Sequence, residues 1–335
     1  MTIKDLSAQT GYSVGTVSRV LNNQPNVSEK ARTAILTAAN QCGFQLNANA
    51  KQLKQAHSNT ILVVVKGTSN ELFSSLVEGI QSRMAQTNQA LVVDYMDEAG
   101  NEVTRAIQLC REKKPLGVLF LGGNRDNFQR DFDKISVPCV LATNDAAGLS
   151  FENLSSVSSD NVRAARSAID YLAELGHREF AVIGGDRINS DTTQLRYEGC
   201  MEAFQARGIT FDGELDYETV RFSYEGGYRG AKKLLSRGRR FTALFAMADI
   251  MAIGAIRALH EAGLRVPEDV SVMGFDGLII GKYTVPTLAT VCQDVDLIAQ
   301  RCVQILQDQI SEAQQPRYET VDIRIEQGES ARKIN

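Results

Sequence analysis

The chain has 335 residues, 43% of them hydrophobic and 23% charged, with a net charge of −4. That length suits roughly two or three domains with a core that needs no disulfide or metal staple, and the composition is that of an ordinary globular protein. No apolar run reaches membrane-spanning length and no basic-then-apolar leader opens the chain, so a soluble, cytoplasmic protein with no membrane partner is expected.

Charge is unevenly spread. Between Met1 and His57 six basic residues (Lys4, Arg19, Lys30, Arg32, Lys51, Lys54) stand against Asp5 and Glu29, a net +4 that leaves −8 for the rest. A small basic head on an acidic body fits a nucleic-acid-binding appendage. Cys42, Cys110, Cys139, Cys200, Cys292 and Cys302 form no C-x-x-C pair and read as small buried hydrophobes in a reducing compartment; no metal and no cofactor is expected.

The first helix is expected to open on a Thr2–Asp5 capping box and to end at Thr10-Gly11, with Gly11 suited to a left-handed cap. Ser13 then caps a second helix, in which Val14, Val17 and Leu21 form an apolar stripe. A third helix starts near Ser28, with Ala31, Ile35, Ala38 and Cys42 on one side. Two helices joined by a tight Gly-containing turn, closed by a third, describe a helix-turn-helix unit. The second helix presents Gly15, Thr16, Ser18, Arg19 and Asn22 outward: hydroxyls and amides suit phosphate oxygens, and Arg suits a guanine edge. A Gly inside a helix costs about 1 kcal/mol relative to Ala, which close approach to a groove wall would justify. Residues 45–54, QLNANAKQLK, are too short and polar to hold a helix alone and read as a linker that becomes helical when something orders it.

From Thr60 onward, apolar runs alternate with helical patterns. ILVVV, ALVVDYM, GVLFLGG and PCVLATN form one series; FAVIGG, TALFAM and VSVMGFD form a second. The fold class is therefore α/β, two doubly wound parallel-sheet subdomains with a cleft between them, behind the N-terminal helical head. Ligands in such sheets bind beyond the strands' carboxyl ends. That rule selects Ser69 and Asn70 beyond ILVVVK, Phe222 at the end of YETVRF, Asp249 after TALFAM, and Asp276 at the end of VSVMGFD, with Arg196 on the helical segment that follows FAVIGG. An Arg, carboxylates and rings suit a polyhydroxylated sugar. Asp249 suits equally a cap for the helix IMAIGAIRAL, and Phe73 and Phe222 suit the core as well.

The stretches TIKDLSAQTGYSVGTVSRVLNN, VSEKAR and NANAKQLK resemble the head of the LacI/GalR transcriptional regulators, and SSDN, LGHREFAVIGG, RYEG, ADIMAIGAI, GLRVPEDVSVMGFDG and VPTLATV extend the resemblance over essentially the whole chain. The resemblance implies a body similar to periplasmic sugar-binding proteins. It also implies that Val14, Gly15 and Arg19 read bases while Ser13, Thr16, Ser18 and Asn22 hold phosphates. Lys51 would reach toward the minor groove, and Leu53 would wedge into it at a central CG step. Phe73, Arg196, Phe222 and Asp276 would line the effector site. Lys51 stands where the family usually has Arg, and Ala248 where it often has an amide or hydroxyl. The expected organisation is a DNA-binding head over 1–45, a hinge over 46–58 and an effector and dimerisation domain over 59–335. Its subdomains are expected at about 60–158 plus 292–318, and about 159–291 plus 319–335.

An enzyme is not expected: there is no P-loop and no H-E-x-x-H, and His57, His177 and His260 show no paired nucleophile. A transport protein would have no use for the head. The reading is a homodimeric repressor on a pseudo-palindromic double-stranded operator, controlled by a small-molecule effector, a sugar or sugar derivative, in the cleft. The alternative is a regulator of the same family answering to a phosphorylated carrier protein or a purine or nucleoside corepressor.

Overall fold

The computed structural model describes residues 3–21, 27–42, 58–68, 70–312 and 314–334. Thr2, Asn22, the hinge residues 46–57 with Lys51 and Leu53, and Ser69 lie outside the described residues. The chain divides into two compact units, Met1–Ala56 and His57–Asn335.

The first unit holds α1 (Ile3–Thr10), α2 (Val14–Leu21) and α3 (Glu29–Gln41). Gly11 has φ +72° and donates its N–H to Ser7 O at 3.0 Å, the left-handed stop that its sequence position suggests. Ser13 Oγ accepts from Thr16 N at 3.2 Å and Ser28 Oγ from Ala31 N at 3.3 Å, so both following helices carry side-chain caps. Leu6, Val17, Val20, Ile35 and Ala39 form the core, with Tyr12, Leu21 and Val27 against it. Two expectations shift by part of a turn. Val14 is 45% exposed and Val20 takes its place, because the buried face centres between Val17 and Val20. Cys42 sits at the edge, where its thiol donates to Gln9 Oε1 at 3.4 Å, and Ala39 fills the core.

The second unit runs β1 (Thr60–Lys66), α4 (Glu71–Met84), β2 (Ala90–Met96), α5 (Glu102–Lys113), β3 (Gly117–Leu121), α6 (Arg125–Asp131), β4 (Cys139–Ala142) and β5 (Leu154–Ser159). It continues with α7 (Asn161–Glu174), β6 (Phe180–Gly184), α8 (Asp191–Ala206), β7 (Tyr217–Thr219), α9 (Tyr224–Ser236), β8 (Ala243–Ala246), α10 (Asp249–Glu261) and β9 (Ser271–Asp276). The last elements are β10 (Ala289–Gln293), α11 (Val295–Glu312), β11 (Tyr318–Val321) and β12 (Ile323–Glu326). Strands order β11-β5-β4-β3-β1-β2 in one sheet and β12-β10-β9-β8-β6-β7 in the other, parallel throughout except β12 against β10.

Ile61 to Val65 are fully buried because helices cover both faces of the sheet, which is why the run reads as continuously apolar. Strand β5, LSSVSS, is just as buried but has a polar sequence. Two of its serines are used: Ser155 Oγ accepts from Arg317 N at 3.0 Å and Ser156 Oγ from Ala146 N at 2.9 Å. The chain passes between the sheets after β5, β10 and β11, at Asp160, Asp294 and Asp322. These crossings come a few residues later than the expected boundaries, since Ser159 still pairs within β5, Cys292 within β10 and Glu319 to Val321 within β11. Among the described residues all six cysteines are free and no helix is long and apolar enough to cross a membrane.

Candidate functional site

On the head, α2 turns its apolar side inward through Val17 and Val20, and Ser13, Val14, Gly15 and Arg19 stand exposed. Thr16 and Ser18 are half-buried, with Thr16 Oγ1 2.9 Å from Ser13 Oγ. A Cβ on Gly15 would meet only Ser13 Oγ, at 3.8 Å, so nothing in the described protein itself demands a glycine there.

In the body the strand ends of the two sheets face each other across a cleft of about 1000 Å³. Asn70, Phe73, Arg196, Phe222 and Asp276 all line it. Asn70 also caps α4, accepting from Leu72 N at 3.1 Å. Phe73 lies against Gly122, and Phe222 against Gly185; a Cβ at either glycine would fall within 3 Å of the ring.

Arg196 and Asp276 are almost wholly buried at the floor. Arg196 stacks its guanidinium 3.6 Å above the Phe275 ring, donates Nε to Asn161 Oδ1 at 2.9 Å and Nη1 to Met247 O at 2.5 Å. Its Nη2 lies 3.9 Å from Asp276 Oδ1. Asp276 has φ +119°, a strained value for a residue with a side chain. Its Oδ1 accepts from Gln293 Nε2 at 2.9 Å, and its buried Oδ2 has no partner within the protein. Burial lifts the Asp276 carboxyl to about 6, against the pull of Arg196. Burial likewise lowers Arg196 to about 10, which leaves it charged at neutral pH. The floor therefore offers a fixed cation beside a buried carboxylate oxygen that is free to accept a hydrogen bond.

Asp249 is not part of the cleft lining. Fully buried at the first position of α10, it accepts from Leu278 N and from the Thr290 hydroxyl, each at 2.6 Å, and so ties the loop after β9 to β10. Burial, then the nearby Asp276, pushes its carboxyl well above the usual range. His177 is likewise structural: its ring bonds Thr242 and Ser271, each at 3.0 Å, and the Arg332 carbonyl at 3.2 Å.

Other strand ends contribute to the lining as well. After β2 come Asp97 and Glu98, after β3 Asn124, after β4 Asn144, and after β7 Arg221, all of them in the lining. Several bridge the two walls. Arg221 donates to Asp97 at 2.6 Å and Glu98 at 2.7 Å, Tyr224 to Glu71 at 2.5 Å, Asn124 to Asn189 O at 2.8 Å, and Asn144 to Thr192 at 3.0 Å.

A helix-turn-helix unit with an exposed polar second helix, in one chain with two sheets that enclose a ligand-sized cleft, defines a DNA-binding regulator with a ligand-binding body. Residues 2–47 match the bacterial regulatory proteins of the lacI family, and residues 169–331 match a periplasmic binding protein-like domain. The chain belongs to the lacI family of bacterial transcriptional regulators.

It is 34% identical over 312 residues to the HTH-type transcriptional regulator MalR of Clostridium butyricum, covering 91% of this chain and 92% of that one. It is 30% identical over 311 residues to the HTH-type transcriptional repressor CytR of Escherichia coli K12, covering 92% and 89%. A solved complex of the transcriptional regulator CelR with cellobiose superposes with a TM-score of 0.73 at 28% identity, covering 99% of this chain and 100% of that one. These relatives are transcriptional regulators.

Proposed function

We propose that this chain is a cytoplasmic, non-enzymatic repressor that acts as a homodimer on a pseudo-palindromic operator and is controlled by a sugar bound between its two subdomains. Val14, Gly15 and Arg19 read base edges, and Ser13, Thr16, Ser18 and Asn22 hold phosphates. Lys51 and Leu53 act in the minor groove. Asn70, Phe73, Arg196, Phe222 and Asp276 bind the effector, with Ser69 beside them in sequence.

The observation that carries this reading is the buried Arg196–Asp276 pair with its one open carboxylate oxygen, in the same chain as an exposed recognition face. A second copy of the chain has a surface to meet: Ile279, Ile280, Tyr283 and Val285 stand 36–94% exposed in the segment after β9. Ligand that draws the two walls together moves such a face and, through it, the two heads.

The test is selection of bound DNA from a random duplex pool with the full chain. The expected product is a two-half-site sequence, released or tightened by a sugar. Arg19→Ala is expected to cost about 1–3 kcal/mol and to relax preference at one base pair of each half-site. A pool without sequence preference, or an Arg19→Ala variant with unchanged preference, sinks the reading.

A further inference from the structure

We infer that the effector is a neutral oligosaccharide of two to three sugar units, a narrowing that rests on the sugar reading above. Length comes first. On one wall the lining follows the ends of four adjacent strands, β4, β3, β1 and β2, from Asn144 to Glu98. On the other it runs from Asp276 at the end of β9 to Arg221 after β7, a span of four adjacent strands of which β9, β6 and β7 supply lining residues. Three strand spacings make roughly 14 Å, whereas one pyranose ring is about as broad as a single spacing, ~5 Å. The volume agrees: about 1000 Å³ lies at the upper end for small-molecule sites, far more than one ring fills. Polar groups continue along this length, with Asn124, Asn127 and Asn144 on one wall and Asn189 and Thr192 on the other.

Charge comes second. Among the described lining residues the cations are Lys66, Arg196 and Arg221, and each already faces a carboxylate. Lys66 Nζ lies 2.5 Å from Glu102 Oε2, Arg221 bridges Asp97 and Glu98, and Arg196 stands beside Asp276. A phosphate or carboxylate ligand needs spare cations or open backbone N–H groups. The helix N-termini at the cleft are already engaged in part. Asn70, Ser190 and Ser223 cap α4, α8 and α9 with their side chains, and acidic Glu71, Asp191 and Glu225 occupy the first turns. Asp276 Oδ2, buried and unpartnered, asks for a donor, which a hydroxyl is and a phosphate dianion is not. The cleft selects against anionic sugars at both ends and for a chain of hydroxyl-bearing rings.

The experiment is calorimetric titration of the full-length protein with two ladders, glucose to maltotetraose and glucose to cellotetraose, alongside glucose 6-phosphate and adenosine. The expected result is affinity that rises at least about tenfold, or about 1.4 kcal/mol, from one unit to two, and stops rising after three, in at least one ladder. Glucose 6-phosphate is expected not to bind. Binding that is strongest for glucose or glucose 6-phosphate overturns this inference and leaves the sugar reading standing. Binding of adenosine alone overturns both, and binding of no ladder member overturns the oligosaccharide assignment.

Discussion

Arg196 Nη2 and Asp276 Oδ1 face each other at 3.9 Å in the floor of the cleft, and each partner is tied to a segment by which the chain crosses between the sheets. Arg196 bonds Asn161, just past the first crossing, and Asp276 bonds Gln293, just before the second. A ligand that recruits these charges therefore acts next to the segments that join the two sheets. The same arrangement leaves a pH signature. The folded carboxyl titrates near 6, while an unfolded Asp titrates near 3.9. A raised folded value means that the contribution is fully present below about pH 4 and is lost as pH rises through 6. The stability of the wild type relative to Asp276→Asn is expected to fall by about 2–3 kcal/mol between pH 4 and 7 and to stay flat above. Urea melts of both proteins across that range check it, and a pH-independent difference would rule out the raised carboxyl.

The periodic parts of this fold were open to reading from sequence. Val17, Ile35 and the run Ile61 to Val65 announce their burial, because buried helices and parallel strands have few other ways to be written. What stayed hidden depends on partners far along the chain. Ser155 and Ser156 of β5 are buried with partners supplied by Arg317 and Ala146, and nothing local in LSSVSS says so. Asp249 occupies a strand-end position like that of Asp276, yet Leu278 and Thr290 take up its oxygens. Arg221 joins Asp97 and Glu98 only once two sheets face each other, so no spacing within YETVRF marks it as a cleft residue.

His177 makes the opposite pH prediction. Burial lowers its pKa below the usual 6.5, so the neutral ring contributes stability that is present above pH 6.5 and is lost as pH falls below it. Wild type is expected to weaken relative to His177→Gln on acidification from pH 7 to 5. The tie between Arg332 and Ser271 loosens with it, since the ring bonds both. Hydrogen exchange in the last ten residues, followed against pH, checks the local part. Equal acid sensitivity in the variant would remove His177 from the account.

Helices α9 and α10 touch through reciprocal glycines. A Cβ on Gly254 would lie 2.0 Å from Tyr224 O, and one on Gly227 2.0 Å from Met251 O. Helix propensity favours Ala over Gly by about 1 kcal/mol, but backbone cannot yield as a side chain can. Gly254→Ala and Gly227→Ala are each expected to destabilise the body by about 3 kcal/mol or more, read as a lowered urea midpoint. A neutral or stabilising result for either would mean the two helices separate at little cost.

Gly15 reverses that logic. Its missing Cβ would meet only Ser13 Oγ at 3.8 Å, so the free head gives no reason to avoid Ala. In Gly15→Ala, α2 is expected to gain about 1 kcal/mol, visible as slower amide exchange from Val17 to Val20 in the full chain. If Gly15 faces a groove wall, the same variant binds selected operator DNA at least tenfold more weakly, or about 1.4 kcal/mol. Stability and affinity then move in opposite directions, a combination that damage to the fold does not produce. Gains in both would remove Gly15 from the DNA interface while leaving the rest of the recognition face in place.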